Sequence, residues 1–241
     1  MVAQRRGLRR RWVSGHYGRV MCFSAQADVV GGVVVGALGF DAVRHVRQQH
    51  DHLAFAALPV LLAAHQLDEA FVWWGLQGHV SAGVGRVAMW IYLLFAFVVL
   101  PTYVPLAIRA LEPPGRRRAV MTGFVALGGV VSVLLLAAMV RGPVTAELGD
   151  HHISYGIHLH AGLLVVSAYV AATCCSAIFS GYRHIAMFGV VNLIAVATLA
   201  KLTIDGFASL WCGLAALTSI AIALHLRYGT TRHQSVVQAL S

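Results

Sequence analysis

Residues 63–74 read AAHQLDEAFVWW, and how this stretch is placed sets the reading of everything around it. It lies in the middle of an apolar run, Leu53–Leu76, long enough for a membrane span, which needs roughly 20 such residues. Charged groups inside hydrocarbon are expensive and, where present, face a protein interior or a cavity. On a helix His65 and Glu69 are four apart and share a face with Trp73, while Asp68 lies about 100° from Glu69 around the axis. The stretch therefore predicts a helix that crosses the bilayer with a polar face turned into a bundle.

The rest of the chain agrees. It has 241 residues, 59% apolar and only 11% charged, against about 25% charged in soluble domains, which excludes a water-soluble globular enzyme. Further spans are expected at Phe23–Phe40, Val87–Ile108 (kinked by Pro101 and Pro105), Ala119–Val140, Gly156–Phe179, Ile185–Ala200 (extending to Ile204 through Lys201) and Phe207–Leu226. The expected fold is all-α, a polytopic transmembrane bundle of seven spans, with six or eight as alternatives. Residues 1–20 form a basic tail, disordered or an upstream extension of a chain starting at Met21; 21–228 form one domain; 229–241 form a short cytoplasmic tail. The connections Leu111–Arg118 and Arg141–Tyr155 are read as loops.

The net charge of +9 does not indicate nucleic acid, because the basic residues are scattered between apolar blocks. Six arginines (Arg5, Arg6, Arg9, Arg10, Arg11, Arg19) lie in the first twenty residues, and the remainder carries 12 basic against 9 acidic groups. One set of alternate loops holds Arg44, Arg47, Arg109, Arg116, Arg117, Arg118, Arg183, Arg227 and Arg232; the other holds Arg86, Arg141 and Lys201. Basic loops face the cytoplasm. The expectation is a bacterial plasma-membrane protein with its C-terminus cytoplasmic and its N-terminus outside, and a start at Met21 keeps the arginine-rich tail from contradicting this.

That orientation collects Asp28, Arg86, Asp150, His151, His152, His158, His160, Lys201 and Asp205 toward the outer side and suggests an outward-facing polar pocket of His65, Glu69, Arg86, His158 and Asp205. His65, Glu69 and Asp68 are the catalytic candidates. His65, Glu69, His158 and Asp205 are candidate ligands for zinc or another divalent metal, although the zincin spacing H-E-x-x-H is absent. The bland alternative is a structural knot, with Glu69 paired to Arg86 or Lys201. His151 and His158, seven apart, would share a face if helical. Cys22 and Cys212 fall at outer helix ends, within reach of a disulfide; Cys174 and Cys175 are packing residues. Trp73, Trp74, Trp90 and Trp211 suit an interfacial aromatic belt, and Gly31, Gly32, Gly36 and Gly39 suit close helix packing.

MCFSAQADVVGG from Met21, HQLDEAFVWWG from His65, TYVPLA from Thr102 and SLWCGLAA from Ser209 resemble an uncharacterised family of bacterial, mainly actinomycete, integral membrane proteins. Its members begin at Met-Cys-Phe-Ser-Ala. The resemblance covers Met21 to about Arg227 through Cys22, Phe23, Ser24, His65, Gln66, Glu69, Trp73, Trp74, Trp211 and Cys212. It favours Met21 as the start and implies no activity.

The function expected is therefore binding of a small ligand or metal in a membrane-embedded pocket. A membrane-embedded metal-dependent hydrolase, a small-solute transporter and a purely structural membrane protein are the alternatives. The partners expected are the lipid bilayer and a small ligand or ion, with no nucleic acid. A retinal pigment is excluded, since the last predicted span has no lysine.

Overall fold

The computed structural model describes residues 24–202 apart from 49, 150, 151 and 160, with the backbone alone at 50 and 199–202. The chain is mostly helical. Helix α1 (Ala25–Val46) is followed by α2 (His50–Ala56) and α3 (Leu58–Leu76), then α4 (Ala82–Leu94), a π-helical turn (Phe95–Val99) and α5 (Leu100–Leu111). Helix α6 (Arg116–Arg141) leads into strands β1 (Val144–Leu148) and β2 (Ile153–Ile157). Helix α7 (Gly162–Val170), a second π-helical turn (Ala171–Cys175), α8 (Ser176–Ile178) and α9 (Arg183–Leu202) complete the described chain. Four stretches, Ala25–Val46, Asp51–Leu76, Ala82–Leu111 and Arg116–Arg141, are long and apolar enough to cross a bilayer, and Gly162–Ile178 and Arg183–Thr198 are shorter apolar helices. The predicted seventh span, with Asp205, Trp211 and Cys212, lies outside the described residues, as do Cys22 and the two tails.

The rods run up and down between two ends. At one end Ala25, Val72, Trp73, Tyr92, Met139 and Ile153 form a core; at the other Phe55, Ile108, Leu111, Met121, Ala177 and Ile185 form another. We call these the hairpin end and the arginine end, since Arg44, Arg47, Arg109, Arg116, Arg117, Arg118 and Arg183 gather at the second. Large apolar side chains such as Leu163 (85% exposed), Val133 and Ile194 cover the outside, as a lipid-facing surface requires.

Helix α1 lies along α3. Its buried residues, Ala25, Asp28, Gly32, Val35, Gly39, Ala42 and Val46, alternate steps of three and four, the seam of left-handed helix pairing. A Cβ at Gly39 would meet the backbone nitrogen of Val60 at 2.8 Å, and one at Gly32 would meet Leu67 Cγ at 2.8 Å. The seam thus depends on Gly32 and Gly39. At Gly36, half-buried, a Cβ would meet only the Ala63 Cβ, at 3.3 Å.

Prolines shape the third rod. A π turn shifts the Leu100 amide to the Phe95 carbonyl, so the Ala96 carbonyl loses its α-helical donor, and its next donor would be Pro101, which has no N–H. The Tyr169 hydroxyl donates to that carbonyl at 2.8 Å. Ser132 Oγ donates to the Val98 carbonyl at 2.7 Å and lies 2.9 Å from Thr102 Oγ1. Pro105 likewise strips the Pro101 carbonyl of its donor, and Gly128 of α6 packs against that carbonyl so closely that no Cβ fits there. The expected kink is therefore a π turn whose freed carbonyls are taken up by α6 and α7.

Several boundaries differ from expectation. The first helix reaches Val46, which places Arg44 in its last turn. The second span breaks near Ala57 because Pro59 opens α3 at its first turn. The segment read as a loop, Arg141–Tyr155, holds β1 and pairs with β2 in an antiparallel hairpin, Val144 opposite Ile157 and Leu148 opposite Ile153. Gly156, placed at the start of the fifth span, is a strand residue, and the helix begins at Gly162. Strands of only five residues each, VTAEL and ISYGI, were hidden by the apolar run that follows them. His158 follows a strand, so the shared helix face with His151 is lost, and residue 151 itself lies outside the described residues.

At the arginine end Glu112 clamps two connections together. Its Oε1 accepts from Ser180 Oγ at 2.8 Å and from the Gly181 amide at 2.7 Å, and the Tyr182 hydroxyl donates to the Leu111 carbonyl at 3.0 Å.

Candidate functional site

Helix α3 is central because both its flanks are covered: the apolar window of the stretch Asp51–Leu76 that contains it is 61% buried, against 28% for those of α1 and α6. That is why a helix with acidic residues in its middle can stand among apolar rods. His65 (3% exposed), Gln66 and Glu69 (1% exposed) are buried along it, with Asp28 (3% exposed) on the facing side of α1. Asp68 is half-buried.

The His65 ring stacks on Tyr92 with centroids 4.0 Å apart and planes at 16°, and leans on Phe95 at 4.7 Å. Tyr92 stacks in turn on Tyr155 of β2 at 4.7 Å and 17°. Such pairs are each worth about 0.5–1.5 kcal/mol beyond the area they bury, so the column ties α3, α4 and the hairpin together through their ring faces. The edges are another matter. Neither nitrogen of His65 makes a hydrogen bond among the described residues, although both are buried, and the same holds for Asp68 Oδ2. A buried polar atom left this way costs about 1–3 kcal/mol.

Two turns along from His65, Trp73 is buried and turns its indole toward the Asp28 carboxyl group, in a geometry looser than a formed hydrogen bond. Trp73 is thus an interior residue and not part of an aromatic belt; Trp74 and Trp90 are half-buried against the core of the hairpin end, and Trp211 lies outside the described residues. Gln66 fills the space over Gly31, where a Cβ would come within 2.9 Å of its Oε1.

Of the predicted pocket, the fold brings His65 and Glu69 to one buried face. Arg86 is exposed on α4 and His158 is exposed beside Gly142, so neither belongs to the buried group. The side chain of Lys201 and all of Asp205 lie outside the described residues. Among the described residues no three His, Cys, Asp or Glu side chains group as metal ligands, so the four-ligand set His65, Glu69, His158 and Asp205 is not assembled from them. Tyr92, Phe95 and Tyr155 were missed: a tyrosine in an apolar run carries no mark of its partner, and Tyr155 sits on a strand the sequence reading did not contain. Cys174 is buried, as expected of a packing residue, and Cys175 is half-buried; both are free thiols.

A family model described as "Family of unknown function (DUF6629)" matches residues 21–238. No curated protein and no solved structure matches the chain.

Proposed function

The chain belongs to that family of unknown function, and we propose that it is an integral membrane protein whose buried face around His65 and Glu69 binds a small ligand bearing hydrogen-bond donors or positive charge. The observation that carries this reading is the buried imidazole of His65, with both nitrogens unused by the described residues. Buried polar groups are almost always paired, and an intramembrane ionisable residue marks a functional site by default. Asp28, Asp68 and Glu69 stand on α1 and α3 with no buried lysine or arginine among the described residues, which favours a cation or an amine over an anion. The arginine bias supports a cytoplasmic arginine end and a ligand arriving from the outer, hairpin end. A metal form of the reading needs a further donor from outside the described residues, with Asp205 the candidate.

The test uses full-length protein in nanodiscs, with Na+, K+, Mg2+, Zn2+ and methylammonium as probes and the melting temperature as readout. A ligand at a hundred times its Kd stabilises by about 2.7 kcal/mol. At least one probe is expected to raise the melting temperature of wild type, and His65→Phe, which keeps the ring column but removes both nitrogens, is expected to abolish that rise while remaining folded. Glu69→Gln should weaken it. A rise retained in full by His65→Phe, or no rise with any probe, rejects the reading in favour of a structural role.

A further inference from the structure

A second place on the molecule has the makings of a site, far from His65 and independent of it. At the arginine end a cleft of about 370 Å³ opens between the α5–α6 turn and the connection into α9, lined by Glu112, Pro113, Pro114, Arg116, Arg117 and Tyr182. Its volume falls within the range of small-ligand sites.

The walls are held in place. Pro113 and Pro114 stiffen the turn, and Glu112 just before them is extended, as a residue preceding proline prefers. The Glu112 clamp on Ser180 and Gly181 and the Tyr182 bond to Leu111 fix the opposite wall. The charges, in contrast, are unspent. Glu112 is 2% exposed and uses only Oε1; its Oε2 has no hydrogen-bond partner among the described residues. Arg116 and Arg117 are exposed and have no ion-pair partner among them either. A Cβ at Gly181 would lie 2.5 Å from Arg117 Nη1 and 3.0 Å from Glu112 Oε2, so a cationic and an anionic group flank one glycine without joining in an ion pair.

A nearly buried carboxylate beside two guanidinium groups without an ion-pair partner among the described residues is complementary to a zwitterion. Guanidinium groups recognise phosphate through paired N–H donors, and a carboxylate oxygen accepts from a primary ammonium. The cleft also stands where α5 ends and α6 begins, both parts of membrane-length stretches, which is the level of lipid headgroups. We infer that this cleft binds a phosphoethanolamine group, its phosphate on Arg116 and Arg117 and its ammonium on Glu112 Oε2. The group could be supplied by a phosphatidylethanolamine headgroup or by a soluble phosphoethanolamine, and the experiment separates the two.

Full-length protein is reconstituted in phosphatidylcholine nanodiscs carrying equal minor fractions of phosphatidylethanolamine and phosphatidylglycerol, and retained lipid is measured by native mass spectrometry. Parallel phosphatidylcholine-only nanodiscs receive soluble O-phosphoethanolamine. Wild type is expected to retain phosphatidylethanolamine about tenfold over the other two lipids, because a quaternary ammonium cannot donate a hydrogen bond and glycerol carries no charge for Glu112. Glu112→Gln keeps an acceptor for Ser180 and Gly181 and is expected to erase the preference for ethanolamine. Arg116→Gln combined with Arg117→Gln should lower retention of every phospholipid, while Arg44→Gln with Arg47→Gln, at the same end but away from the cleft, should change nothing. Binding of the soluble compound without lipid enrichment assigns the same site to a free ligand. No binding of either form, a preference kept by Glu112→Gln, or an equal loss in the Arg44/Arg47 control overturns the inference.

Discussion

His65 and Tyr169 show two ways in which a polar side chain inside an apolar bundle is made tolerable. Tyr169 carries its hydroxyl to a backbone carbonyl, that of Ala96, which the π turn and Pro101 have left without a donor. Both groups gain, and the role is complete within the fold. Tyr169→Phe should therefore destabilise the protein by about 1–3 kcal/mol, the cost of an unsatisfied buried acceptor, as measured by denaturant unfolding in detergent, without altering the response to cation or amine probes. His65 contributes its ring faces to a column of stacked aromatics, while its nitrogens find nothing among the described residues. The residue pattern made His65 and Glu69 legible as candidates because H-x-x-x-E puts both on one face. It could not reveal Tyr92 or Asp28 as their neighbours, because those lie on other helices and no spacing within α3 encodes them.

Elements meet where glycine allows and proline demands. Helix α6 offers two adjacent glycines with opposite environments. Gly128 faces the Pro101 carbonyl with no room for a Cβ, whereas a Cβ at Gly129 would meet nothing within 4 Å. Gly128→Ala is expected to push α6 from the proline-bearing rod at a cost of about 1–3 kcal/mol, typical of overpacking. Gly129→Ala should be neutral or stabilising by up to about 1 kcal/mol, the difference in helix propensity. Parallel thermal unfolding of the two variants decides this. The same logic holds in α1, where the glycines expected to permit close packing do so and the closest approach to the α3 backbone is set by Gly32 and Gly39, seven apart. A five-residue β-strand between two apolar helices escaped the sequence for a plain reason. Its burial comes from packing on Tyr92 and Trp73 at the end of the bundle, and its alternation is too short to stand out from the apolar residues after Gly162.

Across the whole molecule, alternation of the rods puts the connections at 112–115 and 179–182 at one end and those at 77–81 and 142–143 at the other. Reporter insertions at 113 and 181 should then report one compartment and insertions at 78 and 143 the opposite one, with the first pair cytoplasmic if the arginine bias governs orientation. Two reporters from the same end in different compartments would contradict the antiparallel arrangement. Composition alone determined that this chain has too few charged groups to cover a soluble domain, and the lengths of its apolar runs located the four membrane-length stretches among the seven spans expected; both are one-dimensional quantities, fixed by counting residues against the thickness of a bilayer. Which polar residues share an interior, which carbonyls a π turn releases, that a hairpin's tyrosine reaches the histidine column, and that Glu112 and Arg117 flank one glycine were decided only by the tertiary structure, because each depends on how separate helices rotate and slide against one another, and an apolar sequence leaves those angles to packing.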